Sequence, residues 1–207
     1  MLPNKIHKFD DAILDRQIEE LCFHTRDGWE DLKGDLGAAR VPGSFTTPTW
    51  AAFSGDHYAW LFSNSVNQGL QVTWHVSHRY KPDTKIFPHI HFAALGGGAG
   101  VVRFIVDIIP MRGYDQLTAI PSNIVTTLDF NVTADSPHII LEATDAQSFD
   151  TELEVDSLLS VVMYRDTSVA DNYSGGNIFG LFCDGHIEID RFSTPGRNFP
   201  FYDTLLR

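Results

Sequence analysis

Residues 101–109 have the sequence VVRFIVDII, which gives the clearest indication of the fold class. Large apolar side chains occupy every second position, while Arg103 and Asp107 stand between them. Successive side chains of a strand point to opposite faces, so the alternation predicts a strand with one buried and one solvent-facing side. The apolar positions of the alternation are Val102, Phe104, Val106 and Ile108.

Seven other runs are also rich in β-branched and aromatic residues, and turn residues separate them. They are HYAWLFS (57–63), GLQVTWHVSH (69–78), KIFPHIHFAAL (85–95), IVTTLDFNVT (124–133), HIILEA (138–143), SLLSVVMYR (157–165) and NIFGLFCDGHIEID (177–190). Eight such runs predict an all-β domain, built as a sandwich or as a barrel.

Two of the local patterns predict particular positions in the sheets. The run LLSVVMY (158–164) is apolar on both faces, so we expect it at the centre of a sheet or against another subunit. Gly96, Gly97, Gly98 and Gly100 predict a hairpin turn between two neighbouring strands, because glycine adopts positive φ without steric cost.

The beginning of the chain has a different pattern. Over residues 5–23 apolar side chains recur at steps of three and four, which predicts a short helical arm that packs on a neighbour or on its own domain. Residues 28–48 contain too many glycines and prolines for a regular element, but apolar anchors indicate an ordered connector. The predicted organisation is an arm and connector over residues 1–50 and a β-sandwich domain over residues 51–207.

The charge of the chain limits its partners. Fifteen Lys and Arg against 27 Asp and Glu give a formal net charge of -12, the wrong sign for attraction to phosphate backbones or anionic lipid. The first residues lack an apolar leader core, and no stretch has about 18 uncharged apolar residues, the length of a transmembrane helix. We therefore expect a soluble protein without nucleic-acid or membrane partners. The chain has only two cysteines, Cys22 and Cys183, and they are far apart in the sequence, so no disulfide is predicted.

Four of the nine histidines lie within WHVSHRYKPDTKIFPHIHF (74–92). His89 and His91 share one face of a strand, because the side-chain period of a strand is two. A hairpin at residues 79–86 would bring His78 to the neighbouring strand. The imidazoles of His78, His89 and His91 are then candidate zinc or iron ligands, in a pattern similar to the metal site of cupin barrels.

This metal interpretation lacks an acidic ligand. Cupins have a Glu within a few residues of His-x-His, whereas here no acid follows His91 until Asp107. A later histidine, such as His138 or His186, would have to complete the site from another strand. The residues therefore favour a histidine network that satisfies buried polar groups, with no metal and no cofactor.

Motifs of other enzyme chemistry are absent from the sequence. It contains no G-x-S-x-G elbow, no GxxxxGKS or GxxxxGKT loop, no G-x-G-x-x-G before a helix and no H-E-x-x-H. Ser160 and Ser168 lie near Asp166, but no pattern brings a histidine beside them. The acids of TELEVD (151–156) alternate as on the solvent face of a strand. We therefore predict that the protein is not an enzyme.

Four segments of the chain form a set of motifs, namely WEDL (29–32), HRYKPDTKIFPHIHF (78–92), RDTSVADNYSGG (165–176) and HIEID (186–190). Together they resemble a family of bacteriophage and prophage virion proteins. The matching positions are His78, Tyr80, Lys81, Thr84, Ile86, Pro88, His89, Ile90, His91, Arg165, Asp166, Asp171, Tyr173, Gly175, His186, Glu188, Ile189 and Asp190. Asp83 stands where the family pattern has glycine, and Ile187 stands where it has an aromatic residue.

The resemblance implies a virion structural protein that is assembled in the host cytoplasm, as capsid decoration or as part of the tail or fibre attachment. It also implies a jelly-roll-like β-sandwich of about eight strands with the N-terminal helical arm, which forms a homotrimer and contacts other virion proteins. Two alternatives stay open. One is a cupin-like metal-binding barrel or metalloenzyme, and the other is a carbohydrate-binding module for host recognition in which Trp50, Trp60 or Tyr58 would stack on sugar rings.

Overall fold

Strands make up nearly all of the regular structure among the residues that the structure describes. The computed structural model describes residues 27–113, 123–144, 149–150 and 153–190. The strands are β1 (Asp27–Leu32), β2 (Thr49–Ser54), β3 (His57–Phe62), β4 (Gln68–His75), β5 (Lys85–Ala94), β6 (Gly100–Met111), β7 (Ile124–Val132), β8 (Ser136–Glu142), β9 (Phe149–Asp150), β10 (Leu158–Arg165) and β11 (Ile178–Asp190). A 3-10 turn at Leu36–Ala38 lies between β1 and β2, and the Asp35 side chain caps it.

The strands form two antiparallel sheets that pack as a β-sandwich. The order in the first sheet is β2-β3-β11-β5-β8, with β1 beside β11 and β9 beside β5, and the order in the second sheet is β4-β10-β6-β7. The eight predicted runs correspond to β3 through β8, β10 and β11, and they are distributed between the sheets in the order of a jelly roll. The predicted fold class is therefore confirmed.

The core lies between the sheets, where the central strands each bury one face. The apolar positions of the alternation in β6 are all fully buried, as predicted. Phe104 of this strand contacts Phe62 and Phe92 of the opposite sheet, with ring centroids 6.1 and 5.6 Å apart. The buried Trp74 donates its indole N–H to the Cys183 carbonyl at 3.1 Å and so links the sheets as well.

The run LLSVVMY lies inside the second sheet, between β4 and β6. Leu159, Val161 and Met163 are fully buried in the core, while Val162 on the opposite face is half-buried. This central position is one of the two that the sequence predicts for the run. A covering subunit stays a prediction.

Two predicted hairpins are wrong, because the connections concerned pass from one sheet to the other. The glycine-rich segment joins β5 of the first sheet to β6 of the second, and residues 76–84 join β4 of the second sheet to β5 of the first. Gly97 and Gly100 do have positive φ angles, of 70° and 122°. Gly98 is required by packing instead, since a Cβ there would lie 1.9 Å from the backbone nitrogen of Gly175.

The interpretation of residues 28–48 as a connector without regular elements is wrong at its start. The strand β1 occupies Asp27–Leu32 and pairs with β11 along its whole length. Between β1 and β2 the chain is held by apolar anchors, as predicted, and Leu36 is only 1% exposed. The first sheet therefore begins well before residue 50, while the division of the chain at that residue stays a prediction.

Some sequence predictions fall outside the described residues. The helix predicted at residues 5–23 and Cys22 belong to this part of the chain. Cys183 is a buried free cysteine. Within the described ranges, no helix has the length and apolar character that a membrane crossing requires.

Candidate functional site

The histidines of the central motif lie on the outer face of the first sheet. The inward positions of β5 are occupied by Ile90 and Phe92, which are fully buried in the core. His89 and His91 therefore point away from the core, because neighbouring side chains of a strand alternate between faces. Their ring centroids are 5.2 Å apart, and the prediction that they share one face is confirmed.

Three other strands bring partners to the same face. The register between β5 and β11 sets Asp184 opposite His89, and β8 sets Glu142 on its other side. In turn, β1 sets Asp31 opposite His186. We call these residues the His–Asp cluster, which consists of Asp31, His89, His91, His138, Glu142, Asp184 and His186.

The centre of the His–Asp cluster is buried. The side chains of His89 and Asp184 are 3% and 6% exposed, and His89 Nε2 lies 2.6 Å from Asp184 Oδ1. His91 Nε2 lies 3.4 Å from the same oxygen. Despite these two contacts, Asp184 Oδ1 accepts no well-directed hydrogen bond. Such atoms are uncommon in protein interiors, where nearly all polar groups are hydrogen-bonded.

The two central histidines have opposite pKa shifts. Burial alone lowers the pKa of His89, but the short contact with Asp184 outweighs it, so the pKa is raised above its ordinary value. The pKa of His91 is lowered, first by burial and further by the neighbouring charges of His89 and His138, against the attraction of Asp184. The Asp184 carboxylate therefore favours positive charge in the middle of the cluster, while His91 favours the neutral imidazole.

Two carboxylates flank His186 in the more exposed half of the cluster. His186 Nε2 lies 2.9 Å from Asp31 Oδ1, and His186 Nδ1 lies 3.0 Å from Glu142 Oε1. The rings of His186 and His89 are 4.2 Å apart, so this half adjoins the buried centre. Each ring nitrogen of His186 therefore lies within hydrogen-bond distance of one carboxylate oxygen.

His138 of β8 completes the cluster on the opposite side. Its Nε2 lies 2.7 Å from His91 Nδ1, and the two rings are stacked with centroids 5.0 Å apart. This hydrogen bond fixes the orientation of the His91 ring. His91 Nε2 is thereby turned towards Asp184.

Two sets of three residues within the cluster can hold a metal ion. The first set is His89, His91 and Asp184, and the second is Asp31, His89 and His186; in each set the three donor atoms lie within 4.8 Å of one another. Two imidazoles and one carboxylate form a donor set that suits zinc and ferrous iron. The first set is the more buried one and the second the more open one.

The structure separates His78 from the other predicted ligands. His78 Nε2 lies 3.4 Å from Asp156 Oδ1, and His75 Nε2 lies 3.2 Å from the same oxygen. His75 is the last residue of β4, in the second sheet. His78 lies in residues 76–84, which cross from the second sheet to the first. The ligand set of His78, His89 and His91 is therefore wrong in its first member.

An open cavity adjoins the His–Asp cluster. It has a volume of about 450 Å³ and is lined by Trp29, Phe87, Glu142 and His186. Trp29 is 57% exposed, and its ring meets Phe87 edge to face at 5.6 Å. The cavity thus combines an aromatic wall with a carboxylate and an imidazole, and both polar groups belong to the cluster.

Sequence reasoning missed the acidic residues of the site. No acidic residue follows His91 closely on its own strand, and Asp184 comes from the neighbouring strand in the sheet. A local signal was present, since Asp184 and His186 alternate in β11 as His89 and His91 alternate in β5. The suggestion that His138 or His186 would have to complete a site from another strand agrees with their positions in the cluster.

The remaining candidate residues have structural partners. Ser160 Oγ accepts a hydrogen bond from Gln71 at 2.8 Å, and Ser168 Oγ donates to Asp166 at 2.9 Å. Glu154 of the acidic alternation pairs with Arg112. These contacts give the groups roles in loops and between strands.

Comparison with known proteins concerns the architecture of the chain. No protein-family model and no curated protein matches it. Among solved structures, it is similar to the family 61 carbohydrate-binding module TmCBM61 in complex with β-1,4-galactotriose, with 14% identity over 78% of this chain and 88% of that chain and a TM-score of 0.30. It is also similar to the family 30 carbohydrate-binding module of the cellulosomal cellulase Cel9D-Cel44B of Clostridium thermocellum, with 8% identity over 75% of this chain and 96% of that chain and a TM-score of 0.38.

A further similar structure is the enzymatically active domain of tailspike protein 4 of bacteriophage CBA120. The identity is 7%, the match covers 78% of this chain and 19% of that chain, and the TM-score is 0.31. At such identities the likeness to all three structures concerns the β-sandwich fold alone.

Proposed function

We propose that the protein is a structural subunit of a bacteriophage particle, which acts by assembly and not by catalysis. The supporting observation is that the motif segments behind the resemblance to virion proteins are neighbours in the fold. WEDL lies in β1 and HIEID in β11, and these two strands pair with each other. PHIH (88–91) lies in β5, which pairs with β11 on its other side.

The connection before β5 joins the same group. Tyr80 is fully buried and pairs with Ile189 of β11 through an isolated β-bridge. Its hydroxyl donates to the Thr84 carbonyl at 3.1 Å. The backbone N–H of Lys81 donates to the Glu188 carbonyl at 3.0 Å. These motif residues therefore fix the path of the chain between the sheets.

The third motif segment also supports the framework. Arg165 is fully buried and donates two hydrogen bonds to Asp171, at 2.7 and 2.9 Å. Tyr173 lies against Gly175 and accepts a hydrogen bond from the Gly96 backbone at 3.3 Å. Most residues of the motif pattern therefore stabilise the fold, as we expect for a protein with a structural role in a particle.

An apolar surface on the second sheet favours self-association. Val125, Leu158 and Met111 are 56%, 42% and 36% exposed there, on the same face as the half-buried Val162, and Asp107 lies between Val125 and Val162. We propose a second copy of the chain as the occupant, in a homotrimer. A net charge of -12 makes copies repel each other at long range, so a stable contact requires an apolar centre. Full burial of one such side chain contributes roughly 1.5–3 kcal/mol, and several take part in each copy.

Light scattering of the purified chain tests the assembly. The expected mass is three times 23.2 kDa for the natural chain and 23.2 kDa for Val125→Lys. Lysine is compatible with the fold at this position, because Val125 faces Asp107 on the neighbouring strand. Val169→Lys is the matched control, since Val169 is 98% exposed in the loop after β10 and is not one of these side chains. A monomeric natural chain would refute the assembly.

Mass spectrometry tests the location. Purified particles of the phage that encodes the chain are expected to contain it in stoichiometric copies, with hundreds of copies for capsid decoration and a few for a tail or fibre attachment. Absence from particles, with the chain present in the lysate, would refute the virion role.

A second candidate function is carbohydrate binding, which one feature of the β2–β3 hairpin favours. Trp50 and Tyr58 are 50% and 53% exposed, and their rings are stacked with 20° between the planes. Trp60 is held beside them, since its indole N–H donates to the Leu36 carbonyl at 2.7 Å. Exposed aromatic rings of this kind can stack on sugars.

A glycan array with the natural chain, Trp50→Ala and Trp29→Ala tests this candidate. Binding that is lost in Trp50→Ala and kept in Trp29→Ala would support the hairpin as the sugar site. Absence of any glycan signal, or equal loss in both variants, would count against it.

A further inference from the structure

We propose that His89, His91 and Asp184 form a binding site for a divalent transition-metal ion of the zinc type. The inference is independent of the virion role, because it rests on the geometry of the His–Asp cluster alone. All three side chains lie on β5 and β11, which are paired strands in the interior of the first sheet. Such strands hold ligands with little freedom, as a metal site requires.

The first argument is the unusual pairing of two buried atoms. His89 Nε2 and Asp184 Oδ1 approach to 2.6 Å, yet Asp184 Oδ1 makes no well-directed hydrogen bond. Burial of an ionised carboxylate costs several kcal/mol unless a cation or hydrogen-bond donors compensate it. A divalent ion between the imidazoles and this carboxylate would supply that compensation.

The second argument is the spacing of the donor atoms. Zinc lies about 2.0–2.2 Å from nitrogen and oxygen ligands, so two ligands of a tetrahedral ion are roughly 3.3–3.6 Å apart. His91 Nε2 and Asp184 Oδ1 already lie 3.4 Å apart. The contact of His89 with Asp184, at 2.6 Å, has to lengthen by roughly 0.7–1.0 Å, which side-chain rotation can provide.

The third argument is the support of His91 by His138. A ligand histidine usually donates its second ring N–H to a neighbouring acceptor, which fixes the ring and its tautomer. His91 Nδ1 lies 2.7 Å from His138 Nε2, in the position for such a donation. With the proton on Nδ1, the lone pair of His91 is on Nε2, which is the atom that faces Asp184.

Three protein ligands leave one position of a tetrahedral ion for water or another small donor. His186 borders the site on the side of the cavity, with its ring 4.2 Å from that of His89. A second ion at Asp31, His89 and His186 would require the same histidine. The cluster is therefore expected to bind one ion for each chain.

Titration calorimetry with Zn²⁺, on the full untagged chain after dialysis against chelator, tests the site. The expected result is saturable binding of one ion, and Co²⁺ in its place should give visible absorption of a four- or five-coordinate complex. Asp184→Asn and His91→Gln should each weaken Zn²⁺ binding at least tenfold. The support variant His138→Phe should weaken it about 10–100-fold.

His75→Gln is the matched control, because His75 is also a histidine beside an aspartate, at 3.2 Å from Asp156, but lies outside the cluster. It should bind Zn²⁺ as the natural chain does. Circular dichroism identifies variants that do not fold. If Asp184→Asn is one of them, His91→Gln decides the test, because His91 is more exposed than Asp184. Unsaturable uptake, absence of uptake, or equal affinity in His91→Gln and the natural chain would overturn the proposal.

Discussion

The buried ion pair between Arg165 and Asp171 allows a quantitative test of how this fold is stabilised. The side chains of Arg165 and Asp171 are 0% and 3% exposed. Arg165 donates to both carboxylate oxygens of Asp171, at 2.7 and 2.9 Å, and its Nη1 donates to the carbonyl of Gly176 at 2.8 Å. Its charge is therefore compensated inside the core, between the end of β10 and the loop that follows.

Asp171→Ala removes the negative partner and leaves the guanidinium in the core. Loss of one member of a buried ion pair costs about 3–5 kcal/mol, because the remaining charge is uncompensated. For a domain of this size, about 1 kcal/mol corresponds to about 2–4 °C in Tm, so we expect Tm to fall by about 6–20 °C.

The pair Arg103–Asp129 is a matched control with the same chemistry at the surface. It has two hydrogen bonds, of 2.7 and 2.6 Å, but its side chains are 27% and 41% exposed. Solvent screens such a pair, so Asp129→Ala should cost less than about 1 kcal/mol.

Urea unfolding, followed by tryptophan fluorescence and circular dichroism, measures both losses. The double variant Arg165→Met with Asp171→Ala should recover part of the loss, because it removes the uncompensated charge as well. Equal losses in Asp171→Ala and Asp129→Ala would refute the reasoning. A double variant that is no more stable than Asp171→Ala would refute it too.

Further predictions concern packing, thiol reactivity and pH. Gly98→Ala should lower the free energy of unfolding, measured in urea, by about 1–3 kcal/mol, because a Cβ there meets backbone at 1.9 Å. Gly43→Ala should leave the free energy of unfolding nearly unchanged, because a Cβ there meets nothing within 4 Å. Cys183 is buried, and burial raises its pKa, so in a Cys22→Ser chain a thiol reagent should label it only as urea unfolds the protein. The hydrogen bonds from Arg103 lower the pKa of Asp129 in the folded protein. The ionised Asp129 therefore stabilises the fold fully above its unfolded-state pKa, and this contribution is lost as the pH falls through its folded-state pKa. Asp129→Asn should therefore reduce stability in neutral urea titrations and have no effect in strongly acidic ones.

The sequence predicts strands well here because the signal for a strand is local. Alternation in β6 and the β-branched runs of the other strands depend only on residues that are adjacent in the chain. Which strands become neighbours depends on distant residues. The glycine-rich segment after β5 has the composition of a hairpin turn, but Gly98 and its neighbours pack on Gly175, about 75 residues later, while the chain crosses to the other sheet.

The candidate site, like the fold, could be predicted from the sequence only where the signal is local. The common face of His89 and His91 follows from the period of a strand, and the structure has it. The position of His78 depended on an assumed hairpin and was wrong. That Asp184 lies opposite His89 depends on the register between β5 and β11, which no local pattern contains. A search for Asp-x-His or His-x-His in every predicted strand would have added Asp184 and His186 to the candidates.

The two proposed interactions use opposite sides of the sandwich. The His–Asp cluster and its aromatic cavity are on the outer face of the first sheet, whereas the apolar surface around Val125 is on the outer face of the second. The sheets are separated by a fully buried core, so a charge introduced on one face has little effect on contacts at the other. Val125→Lys should therefore dissociate the assembly without changing Zn²⁺ affinity, and His91→Gln should weaken Zn²⁺ binding without changing the mass. If either variant alters both properties, the metal site and the subunit contact are coupled, and the assignment of the contact to the second sheet is wrong.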